Sequence, residues 1–157
     1  MKFTNKEILE AKTAIGGLIT ERLPVNVSWD LAVIGGKLNS IISCIEPVRQ
    51  GLFKSYDIYT EASNDGKTVT VNTRLNQERI NVLISSSDSI ESKEELNVLR
   101  NQAQEQVNKF MAELNELMAQ EVDIDINVVT IPSKINDKPL EIAGAVLMPL
   151  IKFIKVE

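Results

Sequence analysis

Between Leu31 and Leu52 the apolar residues Leu31, Ile34, Leu38, Ile41, Ile45, Val48 and Leu52 follow one another at intervals of three and four without a miss. An α-helix turns once in 3.6 residues, so this spacing places all seven on one stripe, whereas a strand alternates faces at every residue and cannot use it. The chain is thereby committed to a long helix whose stripe something apolar must cover. The regularity is that of a helix laid along another helix, in the same chain or in a second copy, and Leu31, Ile34, Leu38, Ile41 and Ile45 form the candidate interaction seam.

The neighbouring residues set further expectations for this helix. Ser28 is the expected N-cap, and Trp29 beside it is expected to be a packing anchor. Gly35 and Gly36 lie inside the helix, where small residues let another backbone approach. Pro47 has no N–H for the helical ladder and should kink or break the helix near its end.

Around this helix the local signals alternate between helix and strand. Thr4 with Glu7 reads as a capping box and Phe3 with Ile8 as a hydrophobic staple, so a first helix should start at Asn5 and end before Leu23, ahead of Pro24. Alternating segments on either side of Asn64-Asp65-Gly66 predict a β-hairpin. Residues 74–86 carry Ile80, Val82 and Ile84 in alternation and are expected as a third strand. Ser92 with Glu95 reads as a second capping box, opening a helix over 92–120 with Leu96, Leu99, Ala103, Val107, Phe110, Leu114 and Leu117 on one face. Val122 to Val128 alternates apolar and polar residues as a half-buried strand does. A loop around Pro132 to Pro139 and a short helix over Leu140 to Leu147, halted near Pro149, complete the chain. The predicted fold is α+β: two long helices packed together plus a small antiparallel sheet with a β-hairpin, in one domain over residues 1–157.

Composition excludes several kinds of chemistry. The chain has no histidine, which removes the commonest general base, the usual triad member and the commonest metal ligand. It has one cysteine, Cys44, which cannot make an internal disulfide, and its first residues lack the pattern of a signal peptide, so a cytoplasmic protein is expected. The longest apolar stretch, Ile142 to Ile154, is interrupted by Pro149 and Lys152 and is too short to span a bilayer, so no membrane partner is expected. A net charge of −5 argues against direct nucleic-acid binding, which needs a basic surface. The charge is uneven: residues 1–54 hold seven basic and five acidic groups, residues 88–125 three basic and ten acidic. Such asymmetry either orients parts of the chain against each other or presents an acidic face to a basic partner.

Few side chains remain as candidates for chemistry. Glu121, Asp123 and Asp125 recur at strand spacing and would share one face, as oxygen ligands of a hard cation must, but the solvated face of an amphipathic strand has the same pattern. No metal or other cofactor is therefore expected. Cys44 falls near the seam and is expected to be a small buried hydrophobe. Arg49, Arg74, Arg79 and Arg100 would bind anions only if the fold brought them together.

The opening MKFTNKEILEA, the LPVNVSWDLA that leads into the long helix, and its close on EPVRQGLFKSY resemble a group of small uncharacterised phage and prophage proteins of Gram-positive bacteria. The blocks QEQVNKFMAELNELMAQEVDIDINVVTI and LEIAGAVLMPLIKFI resemble the second half of that pattern, while Asp57 to Ile90 fits it less well and reads as an insertion. The resemblance implies no catalytic residues. It implies a non-enzymatic protein of the bacterial host cell, or of the virion, that binds a phage structural protein or a host protein and also suits a homo-oligomer. An inhibitor of a bacterial defence system and a metal-dependent enzyme using Glu121, Asp123 and Asp125 are the two alternatives.

Overall fold

The computed structural model describes residues 1–86 and 89–157. In chain order the elements are β1 (Lys2–Thr4), α1 (Asn5–Ile19), α2 (Val25–Ser55), β2 (Ile58–Ala62), β3 (Val69–Thr73), α3 (Gln77–Ser86), α4 (Ile90–Ala119), β4 (Glu121–Asp123), β5 (Val129–Ile131), β6 (Lys134–Ile135), β7 (Lys138–Pro139), α5 (Gly144–Leu147), a 3-10 turn (Met148–Leu150) and β8 (Ile154–Val156). The α+β class expected from the sequence is the one observed. The chain falls into two compact units: Met1–Glu46 with Met118–Glu157, and Pro47–Leu117.

In the first unit α1 starts where its capping box places it. The Glu7 N–H donates to Thr4 Oγ1 at 3.2 Å, and the Thr4 N–H donates to the Glu7 carboxylate at 2.9 Å. Two of the amides that a helix start leaves without partners are satisfied by this exchange. Lys152 also donates to Glu7, and that bond, ahead of the one from Thr4, holds the Glu7 carboxyl below the usual carboxylate range. The helix closes at Thr20, whose N–H reaches back to Gly17.

The core of this unit is aliphatic with two stacked rings. Ile8, Ala11, Ile15 and Leu18 of α1 meet Leu31, Ile34 and Leu38 of α2 together with Ile124, Ile126, Val129 and Ile131. Phe3 stacks on Phe153 with ring centroids 4.4 Å apart. β1 pairs antiparallel with β4, Phe3 opposite Val122, and β5 pairs parallel with β8, Val129 opposite Ile154.

α2 begins at Val25, directly after Pro24, rather than after Ser28. The Ser28 N–H already donates to the Pro24 carbonyl at 3.0 Å, so Ser28 lies inside the first turn. Proline suits this place because its fixed φ is helical and its missing N–H has no partner to lose. Nor does the helix break at Pro47, for it continues to Ser55 at the cost of the bond that residue 47 would have given to Ser43.

The expected strand over 122–128 is a strand only to Asp123, although burial still alternates, with Ile124 and Ile126 inside and Asp123, Asp125 and Asn127 outside. Within the expected loop, β6 and β7 form a small hairpin whose two turn residues, Asn136 and Asp137, both have positive φ (49° and 62°). Two such residues in succession are what a tight two-residue hairpin turn requires, and Asn and Asp tolerate the conformation better than other non-glycine residues. The expected helix over 140–147 is shorter, Gly144–Leu147, and Pro149 sits in the 3-10 turn that follows.

In the second unit β2 and β3 pair antiparallel from Ile58 opposite Thr73 to Ala62 opposite Val69. Gly66 turns the connection at φ +69°, as the Asp-Gly signal requires. The last turns of α2 meet α4 here, Phe53 standing edge-on to Phe110 with centroids 4.9 Å apart. Tyr56 donates to Glu113, and the Gln106 amide donates to the Tyr56 carbonyl at 3.2 Å. The expected packing of the whole α2 stripe along α4 is not observed, since Leu31, Ile34 and Leu38 are covered by α1 and the 124–131 segment.

Two further expectations are corrected in this unit. α4 starts one turn early, with Ser89 Oγ accepting from the Ser92 N–H at 3.2 Å, while Glu95 does not close a capping box but takes both prongs of the Arg79 guanidinium at 2.8 and 3.0 Å. Residues 77–86 form a helix and not a third strand. The buried pair is Ile80 with Leu83, three apart, whereas Val82 and Ile84 are half or more exposed. Ile80→Ala should therefore cost about 2–4 kcal/mol, as buried aliphatic truncations do, and Val82→Ala less than about 0.5 kcal/mol. Urea denaturation of the two variants checks this, and equal losses would restore the strand.

Candidate functional site

The five seam residues lie on the inward side of α2. Leu31, Leu38, Ile34 and Ile45 are buried and Ile41 is half-buried against the core of the first unit. The close backbone approach expected at the glycine pair is not observed: a Cβ at Gly35 would meet the Ile15 side chain at 3.5 Å, an ordinary contact, and at Gly36 nothing within 4 Å. The stripe is thus covered from within the chain over Leu31 to Ile41, while Val48 farther along it is about half exposed.

Apolar side chains also occupy the opposite face of the same helix. Val25 is 86%, Trp29 69% and Val33 44% exposed. They stand at intervals of four, one above another on the solvent side, and Gly36 continues the line with nothing within 4 Å of its Cβ position. Trp29 is therefore not the packing anchor expected of it. Beside this face lies a small cleft of about 150 Å³, bordered by Asp30, Val33 and Lys37 of α2 and by Ile126, Asn127 and Val128. Lys37 Nζ donates to the Asp125 carbonyl at 2.6 Å and ties the helix to that segment. α2 is also the one described helix long and apolar enough to cross a membrane, with a mean hydropathy of 1.3 over eighteen residues, but its residues Leu31, Ile34 and Leu38 are buried in the core of the first unit.

Val25 and Val33 were not singled out by the sequence. With the helix expected to start after Ser28, Val25 lay outside it and the i, i+4, i+8 relation of Val25, Trp29 and Val33 was hidden.

The acidic residues of the 121–125 segment face solvent, where Lys2 of β1 and the amino group of Met1 supply counter-charges. Glu121 is 3.6 Å from Lys2 Nζ, and Asp123 accepts from the amino group of Met1 at 2.9 Å. Among the described residues no three acidic or cysteine side chains converge as metal ligands. Cys44 is exposed rather than buried, its thiol directed at the Ser40 carbonyl 3.6 Å away. Of the arginines, Arg74 and Arg79 border one open depression in the second unit, but Arg74 pairs with Asp57 and lies over the Tyr59 ring, and Arg79 is held by Glu95. Arg49 lies 5.7 Å from the Phe53 ring, and Arg100 borders a different depression with Val107. No family model, curated protein or solved structure matches this chain.

The hydrogen bond from the Met1 amino group, followed by its charge, holds the Asp123 carboxyl below the usual aspartate range. A lowered folded-state value means that this contact stabilises the fold above the unfolded-state value, about 3.9, and that the contribution disappears as pH falls through the folded-state value. An NMR titration should find Asp123 low in the free-amino protein and back in the ordinary range once the amino group is acetylated, which removes the charge. An unchanged Asp123 titration after acetylation would contradict the pairing.

Proposed function

We propose that this is a non-enzymatic protein that acts by associating with protein through the outward face of α2, between Val25 and Gly36. Trp29 carries this reading. A tryptophan offers a large apolar surface with one polar edge, and such residues dominate the energetics of protein interfaces. Leaving it 69% exposed between Val25 and Val33, on a helix whose other face is already filled, keeps apolar area in water that association would remove. The non-enzymatic part is supported by the missing histidine and by the counter-charges on Glu121 and Asp123. A phage or prophage origin, with action in the bacterial cytoplasm or in the virion, is supported by the resemblance of the two halves of the sequence to phage proteins, and predicts a gene neighbourhood of virion or tail genes.

A photo-crosslinking side chain at position 25 of the full chain, activated in the cells that make it, tests this use of the face. A discrete protein adduct is expected, reduced about tenfold or more by Trp29→Ala, given that hot-spot truncations cost at least ~2 kcal/mol. Adduct formation that ignored Trp29→Ala, or no protein adduct at all, would refute the reading.

A further inference from the structure

The outward face of α2 carries its own complement. Trp29 is its bulkiest side chain, and Gly36, seven residues on, is its deepest gap, exposed with nothing within 4 Å of its Cβ position. Asp30 and Lys37 are also seven residues apart and stand together on the flank that borders the cleft. Seven residues are close to two helical turns, so each pair lies along one line of the helix, and the two lines are adjacent.

A twofold axis crossing α2 near Val33 exchanges positions equidistant from that residue in an antiparallel copy. The midpoints of both pairs fall next to Val33. One axis therefore sets each Trp29 over the other copy's Gly36 and each Asp30 opposite the other copy's Lys37. The same flank of both helices lies on the same side of such a pair, so the charged line meets itself with signs reversed. A twofold interface must be self-complementary in this way, because one patch serves as both partners.

Building on the proposed use of this face, we infer that its occupant is a second copy of this chain, docked antiparallel about a twofold axis near Val33. Knob meets gap at Trp29 and Gly36, acid meets base at Asp30 and Lys37, and the half-exposed Val128 beside the cleft extends the apolar contact. From Val25 to Ser40 the helix offers about 22 Å of length, and two such faces bury on the order of 1,000 Å² in total, at the small end of specific interfaces. The pair should dissociate on dilution.

Sedimentation of the full chain over a hundredfold concentration range tests this, with circular dichroism of each variant confirming the fold. The mass should rise from 17.5 kDa toward twice that value. Asp30→Lys and Lys37→Asp should each weaken the dimer about tenfold or more by setting like charges opposite, and the double reversal should restore it. In a Cys44→Ser background, Val33→Cys, at the axis, should form a disulfide-linked dimer under mild oxidation, and Val25→Cys, two turns away, should not. A constant 17.5 kDa without a Val33→Cys crosslink overturns the inference, as does a dimer indifferent to both charge reversals and to position 33. If the chain is monomeric while the position-25 adduct contains a different protein, the proposed function survives and this inference fails. If there is no protein adduct, or if Trp29 instead binds phosphatidylglycerol vesicles, both fail.

Discussion

Burial of the inward stripe of α2 against α1 is the contact on which the first unit depends. Leu31, Ile34 and Leu38 lie in one cluster with Ile8, Ile15 and Leu18. The strands are too short to stand alone, two or three residues each, and two-stranded pairs of that length are not independently stable. They persist because Phe3, Val129, Ile131 and Ile154 belong to the same cluster as the helices. From Leu31 to Leu38 the stripe that could have served a partner is therefore occupied, whereas Val25, Trp29 and Val33 on the other side stay exposed.

That division explains where the surface chemistry falls. A helix with a filled inner face normally shows polar residues outside, and α2 does so beyond Gly36 with Asn39, Ser40 and Ser43, but not at Val25, Trp29 and Val33. The acidic 121–125 segment has the reverse character. Its apolar residues go inward, its carboxylates go to water, and Lys2 and the Met1 amino group lie alongside. Amphipathicity accounts for the acidic segment without a ligand and leaves the outer face of α2 unaccounted for.

Much of the fold was legible wherever the signal was local. Thr4 and Glu7 cap a helix within one turn, Asp65-Gly66 defines a hairpin, and the stripes of α2 and α4 are helical over many turns. Failures arose where one residue served two patterns. Ile80 fits an alternation with Val82 and Ile84 and equally a helical pair with Leu83, and period alone does not choose between them. Ser92 and Glu95 have capping-box spacing, but Glu95 is drawn to Arg79, and Ser89 takes the cap. The parallel pairing of β5 with β8 has no local signature, and the turn of β6 and β7 was readable only in the Asn136-Asp137 dipeptide. For the candidate site the seam was legible as a stripe but not as core, because covering it takes residues from 8 to 131, a long-range fact. The face that stayed exposed was hidden by a helix start placed four residues late.

The two-sidedness of α2 is tested most directly by urea denaturation of Leu38→Ala and Trp29→Ala, followed by far-ultraviolet circular dichroism at protein concentrations too low for self-association. Leu38 is fully buried and Trp29 is 69% exposed. Leu38→Ala should lose about 2–5 kcal/mol of stability and Trp29→Ala no more than about 0.5 kcal/mol. A Trp29→Ala loss equal to that of Leu38→Ala would mean that the tryptophan belongs to the core and that the outward face does not exist as described.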